Sequence, residues 1–174
     1  MGRSMAKAYK ITSDPFFVNA SLTESAPGVY TSEQVSLPLD SLNREGVLVH
    51  AVYFTSTTPD NVAGNLTKCQ VQVTSTLKTG MVGANDANLI ASRSVFINGG
   101  AAEFSGPHIE DFIGSQAPYQ ESDNLMIVAT DDVFFGILGV NNVAPMTGEC
   151  RLVCSRIKLE AAAYAALVTN ELSS

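Results

Sequence analysis

Hydrophobic side chains in this sequence recur at every second position or gather in short uninterrupted runs, the two patterns that strands produce. The run Val47-Leu48-Val49-His50-Ala51-Val52-Tyr53-Phe54 is apolar almost throughout and rich in β-branched and aromatic residues, which predicts a central strand covered on both faces. From Thr67 to Leu77 the pattern alternates: Cys69, Val71 and Val73 fall on one face, and Lys68, Gln70, Gln72 and Thr74 fall on the other. That strand is half-buried, with its polar side toward solvent or a polar neighbour. Phe16–Leu22 and Val29–Val35 flank the turn dipeptide Pro27-Gly28 and read as two short strands near an edge. Leu37-Pro38-Leu39-Asp40 is not a central strand, because Pro38 has no N–H for a ladder. Leu89–Ile97 is a further strand. Leu125–Ala129 and Val133–Leu138 stand on either side of Thr130-Asp131-Asp132, which predicts a tight hairpin, and Cys150–Ile157 reads as the last strand.

Two stretches break the pattern. Ala101–Ser122 has mixed spacing and contains Pro107 and Pro118, so it predicts an irregular excursion with one helical turn around His108–Ile113. An insertion of that size in a compact domain is usually functional or an interface element. From Lys158 onward the chain turns alanine-rich, and Tyr164, Leu167, Val168 and Leu172 recur at helical spacing, predicting a short C-terminal helix over 158–172. About eight short strands without alternating helices predict an all-β fold: an antiparallel β-sandwich, jelly-roll-like, closed by that helix. At 174 residues the chain is expected to form one domain, 15–174, behind a flexible N-terminal segment, 1–14.

Charge narrows the function classes. Charged residues make up 16% of the chain, where an average soluble protein has about a quarter. Either the missing charge lies where subunits pack, since interface cores are depleted in Lys, Glu and Asp, or the surface is simply that of a Ser/Thr-rich sandwich. A net charge of -7 argues against strong nucleic-acid binding, and Arg3, Lys7 and Lys10 are the one basic concentration. No run approaches the ~18 apolar residues of a membrane span, and the start lacks the apolar core of a secretory signal.

Candidate chemistry is sparse. The three cysteines, Cys69, Cys150 and Cys154, read as core thiols. On one extended strand Cys150 and Cys154 stand about 13 Å apart, beyond the reach of a disulfide, and a lone C-x3-C pair supplies only half of a structural zinc site. His50 sits inside the most hydrophobic strand, where a packed, hydrogen-bonded role is expected. His108 follows Gly106-Pro107 in the excursion and is the better functional candidate. Cys69 with His108 remains open as a nucleophile and base, but no nucleophile signature surrounds either. Glu110-Asp111 and Asp131-Asp132 read as turn residues. Asn85-Asp86-Ala87-Asn88 is like the opening of a calcium loop without its central Gly and terminal Glu. Gly80, Gly83, Gly136 and Gly139 read as structural glycines, and no enzyme activity or cofactor is expected.

Laid out in this way, the region from Phe16 to Leu159 resembles the single jelly-roll coat proteins of small tailless icosahedral viruses and phages. The shared features are the early Phe16-Phe17 strand, the buried Val47–Phe54 strand, the long excursion and the paired apolar strands near the end. The sparse basic residues at the start and the closing helix depart from that pattern. The resemblance implies a self-assembling capsid subunit, located in the virion and assembled in the host cytoplasm, with copies of itself and other shell proteins as partners. Phe16, Phe17, Tyr164, Leu167, Val168 and Leu172 are the interface candidates, since apolar elements at chain ends need cover. The alternative is a β-sandwich binding module for carbohydrate or a host surface. It calls for an exposed aromatic platform, which a chain without Trp and with 7% aromatics provides sparingly.

Overall fold

The computed structural model describes residues 9–99, 107–112 and 126–172. They form an all-β fold of two antiparallel sheets packed face to face, with one helix at the end. The strands are β1 (Tyr9–Ile11), β2 (Phe16–Thr23), β3 (Thr31–Ser36), β4 (Glu45–Ser56), β5 (Leu66–Thr74), β6 (Leu89–Asn98), β7 (Pro107–Phe112), β8 (Met126–Val128), β9 (Asp132–Val140) and β10 (Thr147–Leu159). Helix α1 spans Ala161–Leu172.

In the first sheet β10 is flanked along one side by β4, which in turn pairs β8. Along its other side β10 pairs both β2 and β1. The second sheet runs β3-β9-β5-β6-β7. Apart from β1 and β7, the strands pair from the outside inward: β2 with β10, β3 with β9, β4 with β8, β5 with β6. This is the order that results when one long antiparallel ribbon is rolled up, and it is the jelly-roll arrangement.

The predicted central strand and alternating strand are both present. β4 lies between β10 and β8, and Cys69, Val71 and Val73 of β5 face the core. The core is made by Val18, Val47, Val49, Val52, Phe54, Cys150, Leu152 and Cys154 of one sheet meeting Val71, Val73, Val133, Phe135 and Ile137 of the other. Phe54 stacks on Phe135 across the interior, ring centroids 6.4 Å apart. Gly148 on β10 permits this approach, since a Cβ there would stand 2.7 Å from the Val71 side chain and 3.2 Å from that of Ile137.

β4 reads as apolar on both faces for a local reason. Ala51 pairs Val153 whereas Val49 pairs Cys154, so His50 is the extra residue of a β-bulge. The bulge shifts the pleat by one position, which turns Val47 and Val49 to the same core as Val52 and Phe54 and sends Leu48 to the opposite face. There Leu48, Ala129, Ile157 and Leu159 form a second small cluster, roofed by Ala163, Tyr164 and Leu167 of α1. Glu171 fastens the roof: its carboxylate oxygens accept the Ala129 and Thr130 amides at 3.1 and 3.0 Å.

Several expectations are corrected. Leu125–Ala129 and Val133–Leu138 do not form a hairpin, because β8 pairs β4 in one sheet and β9 pairs β3 and β5 in the other. The intervening residues instead carry the chain across the sandwich. Pro107–Phe112 is a strand on β6 rather than a helical turn, and the remainder of the excursion lies outside the described residues. The helix starts at Ala161 rather than Lys158, since Lys158 pairs Glu45 and Lys10, and Leu159 pairs Tyr9. Within 1–14, Tyr9–Ile11 are held as β1, and residues 1–8 lie outside the described residues. The all-β sandwich is as expected, with ten strands among the described residues.

A buried carboxylate joins the strand ends. Glu24, just past β2, accepts the Gly139 amide at 2.6 Å and the Met146 amide at 2.8 Å, so one side chain ties β2 to both ends of the β9–β10 connection. Replacing it by Ala leaves both donors buried without an acceptor. Glu24→Ala is expected to lower the unfolding free energy by about 3 kcal/mol in a urea titration.

Candidate functional surface

The outward face of the first sheet has two halves, and their difference defines the candidate site. Beyond the bulge, α1 covers Leu48, Ile157 and Leu159. On the near side β2, β10 and β4 present successive rows, read from the register as Phe17-Val153-Ala51, Asn19-Arg151-Tyr53 and Ser21-Glu149-Thr55. All of these residues except Ala51 line an open groove of about 1020 Å3. Phe17 is 62% exposed and Tyr53 52%. Between them the Arg151 guanidinium lies over the Phe17 ring, 5.3 Å from its centroid, and its Nε donates to Asn19 Oδ1 at 2.9 Å. Thr55 donates to Glu149 Oε2 at 3.0 Å. The groove therefore offers two aromatic rings, one cation and one carboxylate on a rigid three-strand floor.

The interface candidates fall into distinct places. Phe17 stands in the groove, whereas its neighbour Phe16 turns inward against the main core, with Arg156 over its ring at 5.9 Å. Tyr164, Leu167 and Val168 lie half-buried against the second cluster, where they cover the chain's own sheet. Leu172 ends the helix, and its side chain lies outside the described residues. Neither Tyr53 nor Arg151 is readable as a surface residue from the sequence. Tyr53 sits in a continuous apolar run, and only the bulge at His50 decides which members of that run face outward.

The catalytic candidates are placed as follows. His50 is buried, with Nε2 2.8 Å from Ser155 Oγ, as expected for a packed, hydrogen-bonded histidine. The backbone of His108, on β7, pairs Phe96 of β6, and the His108 side chain lies outside the described residues. Across β6 it is Ile109 rather than His108 that stands level with Cys69. Glu110 and Asp111 belong to β7 rather than to a turn, opposite Ser94 and Arg93. Asp132 opens β9 and accepts from Gln34 Nε2 at 2.6 Å and Ser36 Oγ at 2.9 Å.

In the loop 85–88, Asp86 accepts the Asn88 amide at 2.9 Å and pairs with the Lys78 ammonium at 2.9 Å. Partial burial on its own raises the Asp86 carboxyl, but Lys78 and the Asn88 amide outweigh it and hold the group below its ordinary value. The cation in that loop is the protein's own lysine. Among the described residues no group of three His, Cys, Asp or Glu side chains converges on a point that could hold a metal ion. Gly80 and Gly136 serve a buried polar site. Gln72 donates to the Gly80 carbonyl at 2.9 Å and the Tyr30 hydroxyl at 3.0 Å, and accepts the Val82 amide at 2.9 Å, while Tyr30 fills the space where a Gly136 side chain would stand.

All three cysteines are buried free thiols, as expected of core residues. Burial pushes Cys69 up to about 11 and Cys150 and Cys154 up to about 12, the reverse of what an activated thiol requires. No model of a known protein family and no curated protein sequence matches the chain. Among the described residues no helix is long and apolar enough to cross a membrane.

The thiols make stability depend on pH. They lose protons near 9 in the unfolded chain but only near 11 to 12 in the folded one, so above pH 9 the native state binds more protons than the unfolded state. Stability therefore falls as pH rises above about 9. The urea midpoint is expected to drop between pH 8 and pH 10.5, and to drop less in a variant with all three cysteines replaced by Ala.

Proposed function

We propose that this chain is a structural, self-assembling protein, a repeating subunit of a viral or phage-like shell. The observation that carries the reading is the outside-in pairing of the strands, since double-sheet jelly rolls recur in viral capsid and lectin domains. Folds host many roles, and the surface chemistry supports this one separately. The space between the sheets is filled by Phe54, Phe135 and their neighbours, which leaves the outer surfaces to do the work. Those surfaces belong to a chain with 16% charged residues and carry exposed apolar side chains at Phe17, Leu42, Leu77 and Val143. Depletion of charge is what subunit contacts require.

Light scattering after size exclusion, followed by negative-stain electron microscopy, tests the proposal. Rings or closed particles built from many copies are the expected result. A protein that stays strictly monomeric across ionic strengths and concentrations overturns it.

One observation favours a second reading, a carbohydrate-binding module. Phe17 and Tyr53 supply the exposed aromatic platform that such a module needs, with Arg151 beside both rings and Glu149 in the next row as hydrogen-bonding groups. A glycan array read with the wild-type protein and with Tyr53→Ala checks it. The module reading requires a monomer whose sugar signal falls at least about tenfold in the variant, consistent with the loss of a central aromatic contact.

A further inference from the structure

The edges of the two sheets are not alike. β3, at one edge of the second sheet, carries Glu33 in its middle and lies beside Asp132. β7, at the other edge, begins with Pro107 and contains Glu110 and Asp111. Among the described residues β8 spans only Met126–Val128. Proline, charge and shortness are the usual devices that stop a sheet edge from pairing with another chain. β2 has none of them. Its eight residues, Phe-Phe-Val-Asn-Ala-Ser-Leu-Thr, are uncharged and free of proline, and among the described residues its only ladder partner is β10.

The phase of that ladder shows which groups of β2 point away from β10. The Glu24 amide donates to the Met146 carbonyl at 2.9 Å, one step beyond the Thr23–Thr147 pair. Hydrogen-bonded pairs alternate along an antiparallel ladder, so the even-numbered residues of β2 bond β10. The N–H and C=O groups of Phe17, Asn19, Ser21 and Thr23 therefore point away from the sheet, and the side chains of all these residues are exposed.

We infer that the free edge of β2 pairs antiparallel with β2 of a second copy of this chain, joining two first sheets into one continuous sheet. The inference deepens the shell reading, and self-complementarity supports it. A two-fold axis at Ala20 sets Phe17 opposite Thr23 of the second copy and Asn19 opposite its Ser21, and the same in reverse. Each of these pairs exchanges both backbone bonds. The register also keeps Val18, Ala20 and Leu22 of both copies on the core side, where a shift by one residue would set them against exposed residues. Electrostatics favours this edge over β3 and β7, which carry carboxylates. In a chain of net charge -7, two copies meet at least cost where no carboxylate lies on the contact strand.

The test uses amide hydrogen exchange and sedimentation equilibrium on the full chain. The amides of Phe17, Asn19 and Ser21 are expected to become protected as protein concentration rises. Ser21→Pro removes an N–H that the β10 ladder does not use, so it is expected to keep the wild-type circular dichroism and weaken association at least about tenfold. Ser21→Glu, which keeps the N–H but places a carboxylate on the edge, should weaken association in the same direction. Higher-order assembly in which the β2 amides exchange freely overturns the edge pairing and leaves the shell reading standing. A protected dimer that never grows beyond two copies supports the edge pairing and overturns the shell reading. Protection that does not change with concentration shows the edge covered within one chain and overturns the pairing, as does a strict monomer.

Discussion

The structure depends on the double pairing of β10. This strand holds β4 along one side and both β1 and β2 along the other, so among the described residues it is the one strand paired with the early and middle parts of the first sheet at once. Without it, β2 and β4 have no common neighbour, and the inner face that meets Phe135 and Ile137 does not exist as a surface. The alternation along β10 follows from this position. Cys150, Leu152 and Cys154 enter the core, while Glu149, Arg151 and Val153 each supply the central member of one row of the outer groove.

Burial of polar groups in this fold is concentrated at junctions. Glu24 sits where β2, β9 and β10 end, Glu171 where α1 meets the β8–β9 crossing, and Gln72 where the loop after β5 folds over the second sheet. In each case a side-chain oxygen accepts a backbone amide that no strand ladder can reach. Irregular backbone cannot be buried without such acceptors. These residues fix how the loops lie on the sandwich, and the apolar interior fixes how the sheets lie on each other.

The sandwich, its central strand, its half-buried strand and its closing helix were all legible from periodicity, because each has one face in the core. The pairing partners were less so. Thr130-Asp131-Asp132 has the composition of a hairpin turn, yet it spans the two sheets, and nothing in three polar residues distinguishes the cases. The strand nature of Pro107–Phe112 was masked by Pro107 and the acidic pair Glu110-Asp111, which suit an edge strand as well as they suit a loop. In the groove, Phe17 was visible as an apolar residue near the start of the chain. Tyr53 and Arg151 were not, since their direction depends on the one-residue bulge at His50 and on a cross-strand neighbour that local sequence does not specify.

The place of β10 in the sheet order also bears on synthesis. The strands of the second sheet are all made before residue 141, so they can pair while the ribosome is still working, whereas the first sheet lacks its middle strand until residues 147–159 have emerged. At translation speeds of about 5–20 residues per second, the nascent chain shows water a half-built sandwich with Val71, Phe135 and Ile137 uncovered for at least a second or so. During that interval chaperones and sister chains on the same messenger compete for a surface that the finished protein hides.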